Sequence, residues 1–96
     1  MTVIAVFEDP TLTKESYEES IRRLLGKERA ESPSEWPVSG LVAHIAGDTG
    51  SGFRVVDVWE SDEAFGRFAE ALAPVMKDIG IEGEPQVYAA HTIVTA

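Results

Sequence analysis

Four short segments of the chain are rich in β-branched and aromatic residues and are bounded by turn-forming residues. This pattern predicts β-strands over residues 3–7, 41–46, 53–60 and 86–94. The glycine-rich segment 47–52 joins the second and third of these strands. A phosphate-binding loop has to open a helix, so that helix N–H groups point at the anion, and segment 47–52 therefore predicts a hairpin turn instead.

Two further segments repeat apolar residues every three or four positions, which is typical of amphipathic helices. In the first helix, Thr13 is the predicted N-cap and Gly26 the predicted end, in the left-handed conformation. The loop that follows is polar apart from Trp36, which we expect to anchor it over the core rather than to line a ligand site. The apolar face of this first helix consists of Tyr17, Ile21, Leu24 and Leu25.

The second helix is predicted to begin after Ser61, its N-cap. Pro74 lacks the backbone N–H that a helix interior needs, which predicts a kink or a break there and a short second segment ending at Gly80. The apolar stripe of this helix is expected to face the core and consists of Phe65, Phe68, Ala69, Leu72, Met76 and Ile79.

The order strand–helix–strand–strand–helix–strand predicts an α+β fold of the ferredoxin-like βαββαβ type, with two helices on one face of a four-stranded antiparallel sheet. Residues 1–96 fit one such domain. If the other face were open to water, alternate strand positions would be polar. Both alternating sets are apolar, however, because Val3 and Ala5 alternate with Ile4 and Val6. We therefore expect a homodimer in which a second copy covers the helix-free sheet face, forming a dimeric α+β barrel.

Charge and composition narrow the choice of partners and cofactors. The chain has 17 Asp and Glu against 8 Lys and Arg, a net charge of −9, which argues against binding to nucleic acid or to an anionic membrane surface. It shows no membrane-spanning run and no signal-peptide pattern, so we expect a cytoplasmic protein. It has no cysteine and only two histidines, well separated in sequence, and no Walker, Rossmann or Gly-x-Ser-x-Gly motif. The sequence thus predicts no metal and no other cofactor.

The candidate chemistry centres on His44, Asp57 and Trp59. Asp57 lies between two valines of a strand, and a carboxylate buried there must be paired or hydrogen-bonded. A hairpin register that places His44 opposite Val55 puts it on the same face as Asp57 and Trp59. We expect His44 and Asp57 to meet directly or through one water, beside Trp59. Two interpretations stay open, a catalytic pair and a core histidine with a structural carboxylate.

Residues 53–65, Phe-Arg-Val-Val-Asp-Val-Trp-Glu-Ser-Asp-Glu-Ala-Phe, resemble the third strand and second helix of small dimeric α+β barrel proteins. That superfamily includes the antibiotic-biosynthesis monooxygenases, which need no cofactor, and also polyketide cyclases, heme-degrading enzymes and isomerases. The resemblance in element order extends over nearly the whole chain, and it implies a ligand pocket between the sheet and the helices. The oxygenases combine asparagine, tryptophan and arginine around their substrate, whereas this chain contains no asparagine.

The leading hypothesis is a protein that binds a small aromatic or polyketide-like molecule and resembles the cofactor-free monooxygenases. His44 and Asp57 are the predicted catalytic residues, which help to remove a phenol proton so that the carbanion reacts with oxygen. The predicted substrate-binding residues are Trp59, Tyr88, His91 and Phe65.

Two alternatives remain open at this stage. One is a polyketide-type cyclase in which His44 or His91 is the base and Tyr88 holds the substrate carbonyl. The other is a non-catalytic ligand-binding or structural homodimer, with His91 at the dimer interface. An apolar pocket with a few converging polar groups favours the enzymes, whereas a pocket filled by side chains favours the non-catalytic dimer.

Overall fold

The computed structural model describes residues 1–96 and has the predicted order of elements. The strands form one antiparallel sheet in the order β2-β3-β1-β4, and this α+β arrangement is consistent with a ferredoxin-like fold. None of the helices combines the length and apolar character that crossing a bilayer requires. In chain order the elements are β1 (Val3–Glu8), α1 (Lys14–Leu25), a 3-10 turn (Pro33–Glu35), β2 (Leu41–Asp48), β3 (Phe53–Trp59), α2 (Asp62–Ile79) and β4 (Gln86–Ala89).

Both helices begin and end where the sequence predicts. The Thr13 side chain accepts a hydrogen bond from the Ser16 backbone N–H, and the Ser16 hydroxyl accepts one from the Thr13 N–H in return, which completes a capping box. Helix α1 ends at Gly26, whose φ of 72° is left-handed. Helix α2 begins after Ser61 and ends at Gly80 with a φ of 92°.

Pro74 does not break α2, so the prediction of a short second segment is wrong. The helix is continuous over Asp62–Ile79 with the proline inside it. Pro74 removes one intrahelical hydrogen bond, but it lies on the exposed side of the helix, as does Glu70 one turn earlier. Apolar residues on both sides of the proline, Phe68 before it and Met76 after it, face the same cavity, and this shared packing keeps the two halves together.

Strand β4 is shorter than predicted, because it ends at Ala89 and not at residue 94. Its only partner is β1, and the last contact of this pair is the Ala90 N–H donating to the Thr2 carbonyl at 2.9 Å. Since β1 begins at Val3, the residues after Ala90 find no backbone to pair with in the chain. Val94 is consequently 88% exposed.

The β2–β3 hairpin has a different register from the predicted one. His44 lies opposite Asp57, not opposite Val55, because β2 continues to Asp48, two residues beyond its predicted end, while β3 begins at Phe53 as predicted. The turn itself is tight, with the Thr49 N–H donating to the Gly52 carbonyl at 2.8 Å. The difference is two residues, and a two-residue shift leaves every side chain on its predicted face.

The main core lies between the sheet and both helices. Trp59, at the end of β3, is fully buried, and its ring stacks on that of Phe68 with centroids 5.0 Å apart. Trp36 is 8% exposed and belongs to the same cluster, which confirms its predicted role as the anchor of its loop. The expectation that it does not line a ligand site is wrong, because the same ring also borders the cavity beneath the helices. The cluster of buried residues consists of Val3, Trp36, Leu41, Trp59, Ala64 and Phe68.

The opposite face of the sheet carries apolar side chains and no helix. Strand pairing places Ile4 beside Val58 and Tyr88 on this face, and Val6 beside Val56. Ile45 is 62% exposed and Tyr88 48% exposed. The helix-free face is thus apolar, as the alternation of strand residues predicts.

Replacing Gly40 is expected to destabilise the start of β2. Gly40 has a φ of +111°, and a Cβ atom there would lie 2.6 Å from the Cβ of Ala64. We expect Gly40→Ala to lower the free energy of unfolding, measured by urea denaturation, by about 1–3 kcal/mol. Gly47→Ala is the matched control, because no atom lies within 4 Å of its added methyl group, and it should unfold like the wild type. Equal stability of the two variants would contradict this account.

Candidate functional site

A cavity of about 400 Å³ lies between the helix-covered face of the sheet and the two helices. This volume is within the range of small-molecule sites, roughly 300–1,000 Å³. The strands contribute Phe7 and Val55, and the α2–β4 loop contributes the buried Ile81 and, at the exposed rim, Glu84. Most of the other lining side chains come from the helices and are apolar, among them Ile21, Leu24, Phe65, Phe68, Leu72 and Met76.

His44 and Asp57 meet at the sheet wall of this cavity. Their backbones are paired across β2 and β3, and His44 Nδ1 lies 2.6 Å from Asp57 Oδ1. Both side chains are largely buried, with 14% and 8% of their surface exposed. The predicted contact is therefore confirmed, and it is direct rather than through a water.

Trp59 holds the other oxygen of the carboxylate. Its indole N–H donates to Asp57 Oδ2 at 3.3 Å, because residues two apart on β3 point the same way. Trp59 is 0% exposed and does not line the cavity. Its position beside Asp57 is as predicted, but the indole orients the carboxylate instead of contacting a ligand.

Tyr17, on α1, extends the hydrogen-bond group of His44, Asp57 and Trp59 from the helix side. The periodicity of α1 predicts only a core position for this residue. Its hydroxyl lies 2.7 Å from His44 Nε2, and its ring is stacked on the imidazole with centroids 5.8 Å apart. The available signal was a tyrosine among the apolar residues of the α1 face, since a buried phenol hydroxyl needs a hydrogen-bond partner. The Trp36 ring contacts the imidazole as well, with centroids 4.8 Å apart.

The proton positions follow from what each group can donate. Asp57 is an acceptor at both oxygens, so His44 donates its Nδ1–H and Trp59 its Nε1–H. The Nε2 of a neutral His44 is then an acceptor for the Tyr17 O–H. Burial of the hydroxyl, and next the negative charge of Asp57, raise the pKa of Tyr17 above its ordinary value. The tyrosine therefore keeps its proton and donates it.

The remaining predicted substrate-binding residues are divided by the sheet. Phe65 lines the cavity. Tyr88 pairs with Ile4 on the helix-free face, and His91 follows β4 and is exposed. Neither reaches the cavity, because the sheet separates Tyr88 from it and β4 ends before His91. No group of three or more histidine, aspartate or glutamate side chains is arranged to hold a metal ion.

A scan of the chain against models of known protein families found no match, and a search of curated proteins found none either. The cavity and its polar side chains therefore carry the functional argument.

The raised pKa of Tyr17 predicts a loss of stability in alkaline solution. In the unfolded chain the phenol ionises near its usual pKa of about 10, while the folded chain still holds the proton. The stabilisation is complete below this pH and is lost as the pH rises through the folded-state pKa. We expect the unfolding free energy of the wild type to fall more steeply above about pH 10 than that of Tyr17→Phe, measured by urea denaturation. A parallel decline of the wild type and Tyr17→Phe would contradict the assignment.

Proposed function

We propose that this protein binds a small aromatic or polyketide-like molecule in the cavity and removes a proton from it without a cofactor, as the cofactor-free monooxygenases that it resembles do. The observation that carries the proposal is the chain of hydrogen bonds from Tyr17 through His44 to Asp57. This chain begins at an apolar cavity and ends at a buried carboxylate. A purely structural core has no need of an unfilled volume at the end of such a chain.

His44 is the proton acceptor in this proposal. Its Nε2 carries the lone pair of a neutral imidazole, to which the Tyr17 hydroxyl donates, and Asp57 fixes that tautomer by accepting from Nδ1. When Nε2 takes a proton, the imidazolium lies beside a carboxylate, which stabilises the charge that has just formed. Asp57 is therefore an orienting and electrostatic partner of the base.

Tyr17 lies between the cavity and the base. The ligand gives its proton to the Tyr17 oxygen while Tyr17 gives its own proton to His44 Nε2, so that the ligand becomes an anion and His44 a cation. The raised pKa of Tyr17 means that a free tyrosinate does not accumulate during this transfer. Tyr17 thus conducts the proton and stays neutral before and after.

Reaction with oxygen is the step that the resemblance adds. A deprotonated aromatic methylene is electron-rich enough to reduce O₂ itself: one oxygen atom becomes the new ketone, and the other leaves as water with the two hydrogens of the methylene. The apolar lining keeps water away from the reactive anion. This step needs neither a metal nor a flavin.

The same base serves the cyclase alternative, but with other residues than the sequence suggested. Tyr88 and His91 lie away from the cavity, so that a substrate carbonyl would have to be held by a different group. The purely structural alternative is disfavoured because Phe65, Phe68 and Met76 border the cavity without filling it. Ligand binding without catalysis is distinguished from the proposal by the exchange experiment below.

The proposal includes a homodimer formed through the helix-free sheet face. This face exposes a continuous apolar surface in the single chain, and burying it gains hydrophobic stabilisation for a domain of modest size. A polar exception lies at its margin, where Arg54 on β3 pairs with Glu8 on β1 at 2.8 Å. An ion pair at the rim and apolar residues at the centre are typical of protein interfaces.

Proton abstraction is tested with anthrone, a three-ring ketone whose central methylene is a carbon acid. We expect the wild type to accelerate exchange of the methylene hydrogens in D₂O under nitrogen, measured by NMR, and to accelerate oxygen uptake in air. His44→Gln keeps one donor and one acceptor for its neighbours but lacks the base, so it should slow the exchange by about 10²–10⁴-fold.

His91→Gln is the matched control, since His91 is exposed and outside the cavity, and it should exchange at the wild-type rate. The thermal midpoint of His44→Gln should stay close to that of the wild type. If the variant lowers the midpoint but exchanges anthrone as fast as the wild type does, His44 is a structural residue and the proposal is wrong. Exchange without oxygen uptake would favour the cyclase.

Dimerisation is tested by placing a charge on the helix-free face. Ile45 is 62% exposed in the single chain, so Ile45→Glu should fold normally but put an unpaired carboxylate into the interface. We expect its dimer dissociation constant to rise at least about tenfold in analytical ultracentrifugation. Ser51→Glu, in the exposed hairpin turn, adds the same charge outside this face and should remain dimeric. A wild type that sediments as a stable monomer at micromolar concentration would refute the interface.

A further inference from the structure

The charged groups of the cavity have one sign. Asp57 lies at its wall and Glu84 at its rim, and neither lysine nor arginine lines it. The whole chain carries a net charge of −9, which adds to the negative potential at the entrance. A ligand that carries a carboxylate or phosphate would lose its hydration there and find no cation in return.

The polar wall of the cavity is formed by Tyr17, Ser20, His44 and Asp57. The O–H and N–H groups of these side chains already donate hydrogen bonds to other groups of the protein. Tyr17 donates to His44, and His44 donates to Asp57. Ser20 donates its hydroxyl to the Tyr17 carbonyl at 2.6 Å. Trp36 also borders the cavity, and its indole N–H has no hydrogen-bond partner within the protein. Apart from that indole, what this wall has left are acceptors, above all the second lone pair of the Tyr17 oxygen and those of the Ser20 hydroxyl.

From these two observations we infer that the cavity selects uncharged ligands that donate a hydrogen bond and rejects anionic ones, with Glu84 at the rim as a specificity residue. The inference rests on the proposed function and names the ligand class: a neutral aromatic molecule with an O–H or N–H, which is directed at the Tyr17 oxygen. The enol form of a ring ketone such as anthrone belongs to this class. Acids of the same shape are excluded.

The selection against anionic ligands is compatible with an anionic intermediate. A ligand that enters as an anion differs from an anion that is formed inside the cavity by loss of a proton. An anion that enters from solution finds His44 Nε2 as an acceptor that the Tyr17 hydroxyl already occupies. An anion formed inside the cavity has delivered its proton to His44, and the resulting imidazolium is the one positive charge at the wall. The cavity therefore stabilises an anion that forms inside it by proton transfer to His44, and it does not stabilise an anion that enters from solution.

A matched series on one ring system tests the inference by isothermal titration calorimetry at neutral pH. It consists of 2-naphthol, an uncharged donor; 2-methoxynaphthalene, an uncharged acceptor; and 2-naphthoate, an anion. We expect the methyl ether to bind about tenfold more weakly than naphthol, because it cannot donate to Tyr17. Naphthoate should bind at least about a hundredfold more weakly than naphthol.

Two variants assign the selection to residues. Tyr17→Phe removes the acceptor oxygen and leaves His44 Nε2, 2.7 Å from the lost oxygen, as the remaining acceptor. The preference for naphthol over its methyl ether should therefore fall from about tenfold to less than about threefold, while Tyr88→Phe should keep it. Glu84→Lys reverses the charge at the rim, where Glu84 is exposed and packing is not disturbed. It should raise naphthoate affinity about three- to fivefold and change naphthol affinity less than about twofold.

The outcomes separate this inference from the proposed function. If naphthoate binds the wild type as tightly as naphthol does, the charge selection is refuted while a ligand cavity stands. If naphthol and its methyl ether bind alike, the selection for a donor is refuted. If none of the three compounds binds, the inference and the proposed ligand site are refuted together.

Discussion

The need to satisfy one buried carboxylate determines how the helix-covered side of this protein is built. Asp57 is 5% exposed in the middle of β3, and neither an arginine nor a lysine contacts it. Its charge is accommodated by two N–H donors, one from His44 on the neighbouring strand and one from Trp59 on the same strand. A strand register that moved His44 away would leave the carboxylate with an unsatisfied oxygen, at a cost of about 1–3 kcal/mol or more. The hydrogen bonds therefore favour the register, and the register in turn brings the imidazole under Tyr17.

The two-residue period of the strands divides the sheet into a face that carries the buried polar side chains and a face that is apolar and free of helices. Along β3, Asp57 and Trp59 face the helices, while Val56 and Val58 face away from them. The same division on β4 explains why Tyr88 lies far from the cavity although it is an aromatic residue with a polar tip. Because of this alternation, a single sheet carries buried polar side chains on its helix-covered face and an apolar surface on its helix-free face.

Local sequence rules predicted the architecture and half of the site. Caps, periodicity and turn residues are determined by neighbours in sequence, so Thr13, Gly26 and Ser61 could be recognised directly. Strand parity placed His44 and Asp57 on one face whatever the size of an even register shift. The missing part depends on contacts distant in sequence: Tyr17 meets His44 across 27 positions, and β4 ends where its partner β1 begins. The continuity of α2 through Pro74 likewise depends on how the helix packs in the folded chain, which cannot be predicted from neighbouring residues in the sequence.

The cavity persists because small side chains stand where larger ones would close it. Ala5 pairs with Asp57 on the sheet, and Ala69 and Ala73 face the cavity from α2. In a domain of this size each unfilled apolar volume weakens the core, at roughly 24 cal/mol per Å³ in the best-studied protein series, so filling it would stabilise the fold. The chain instead packs the core fully around Trp59 and leaves it open beside Tyr17. The unfilled volume thus lies beside Tyr17, where the hydrogen-bond chain to His44 and Asp57 begins. A ligand must bind at this position if its proton is to reach His44.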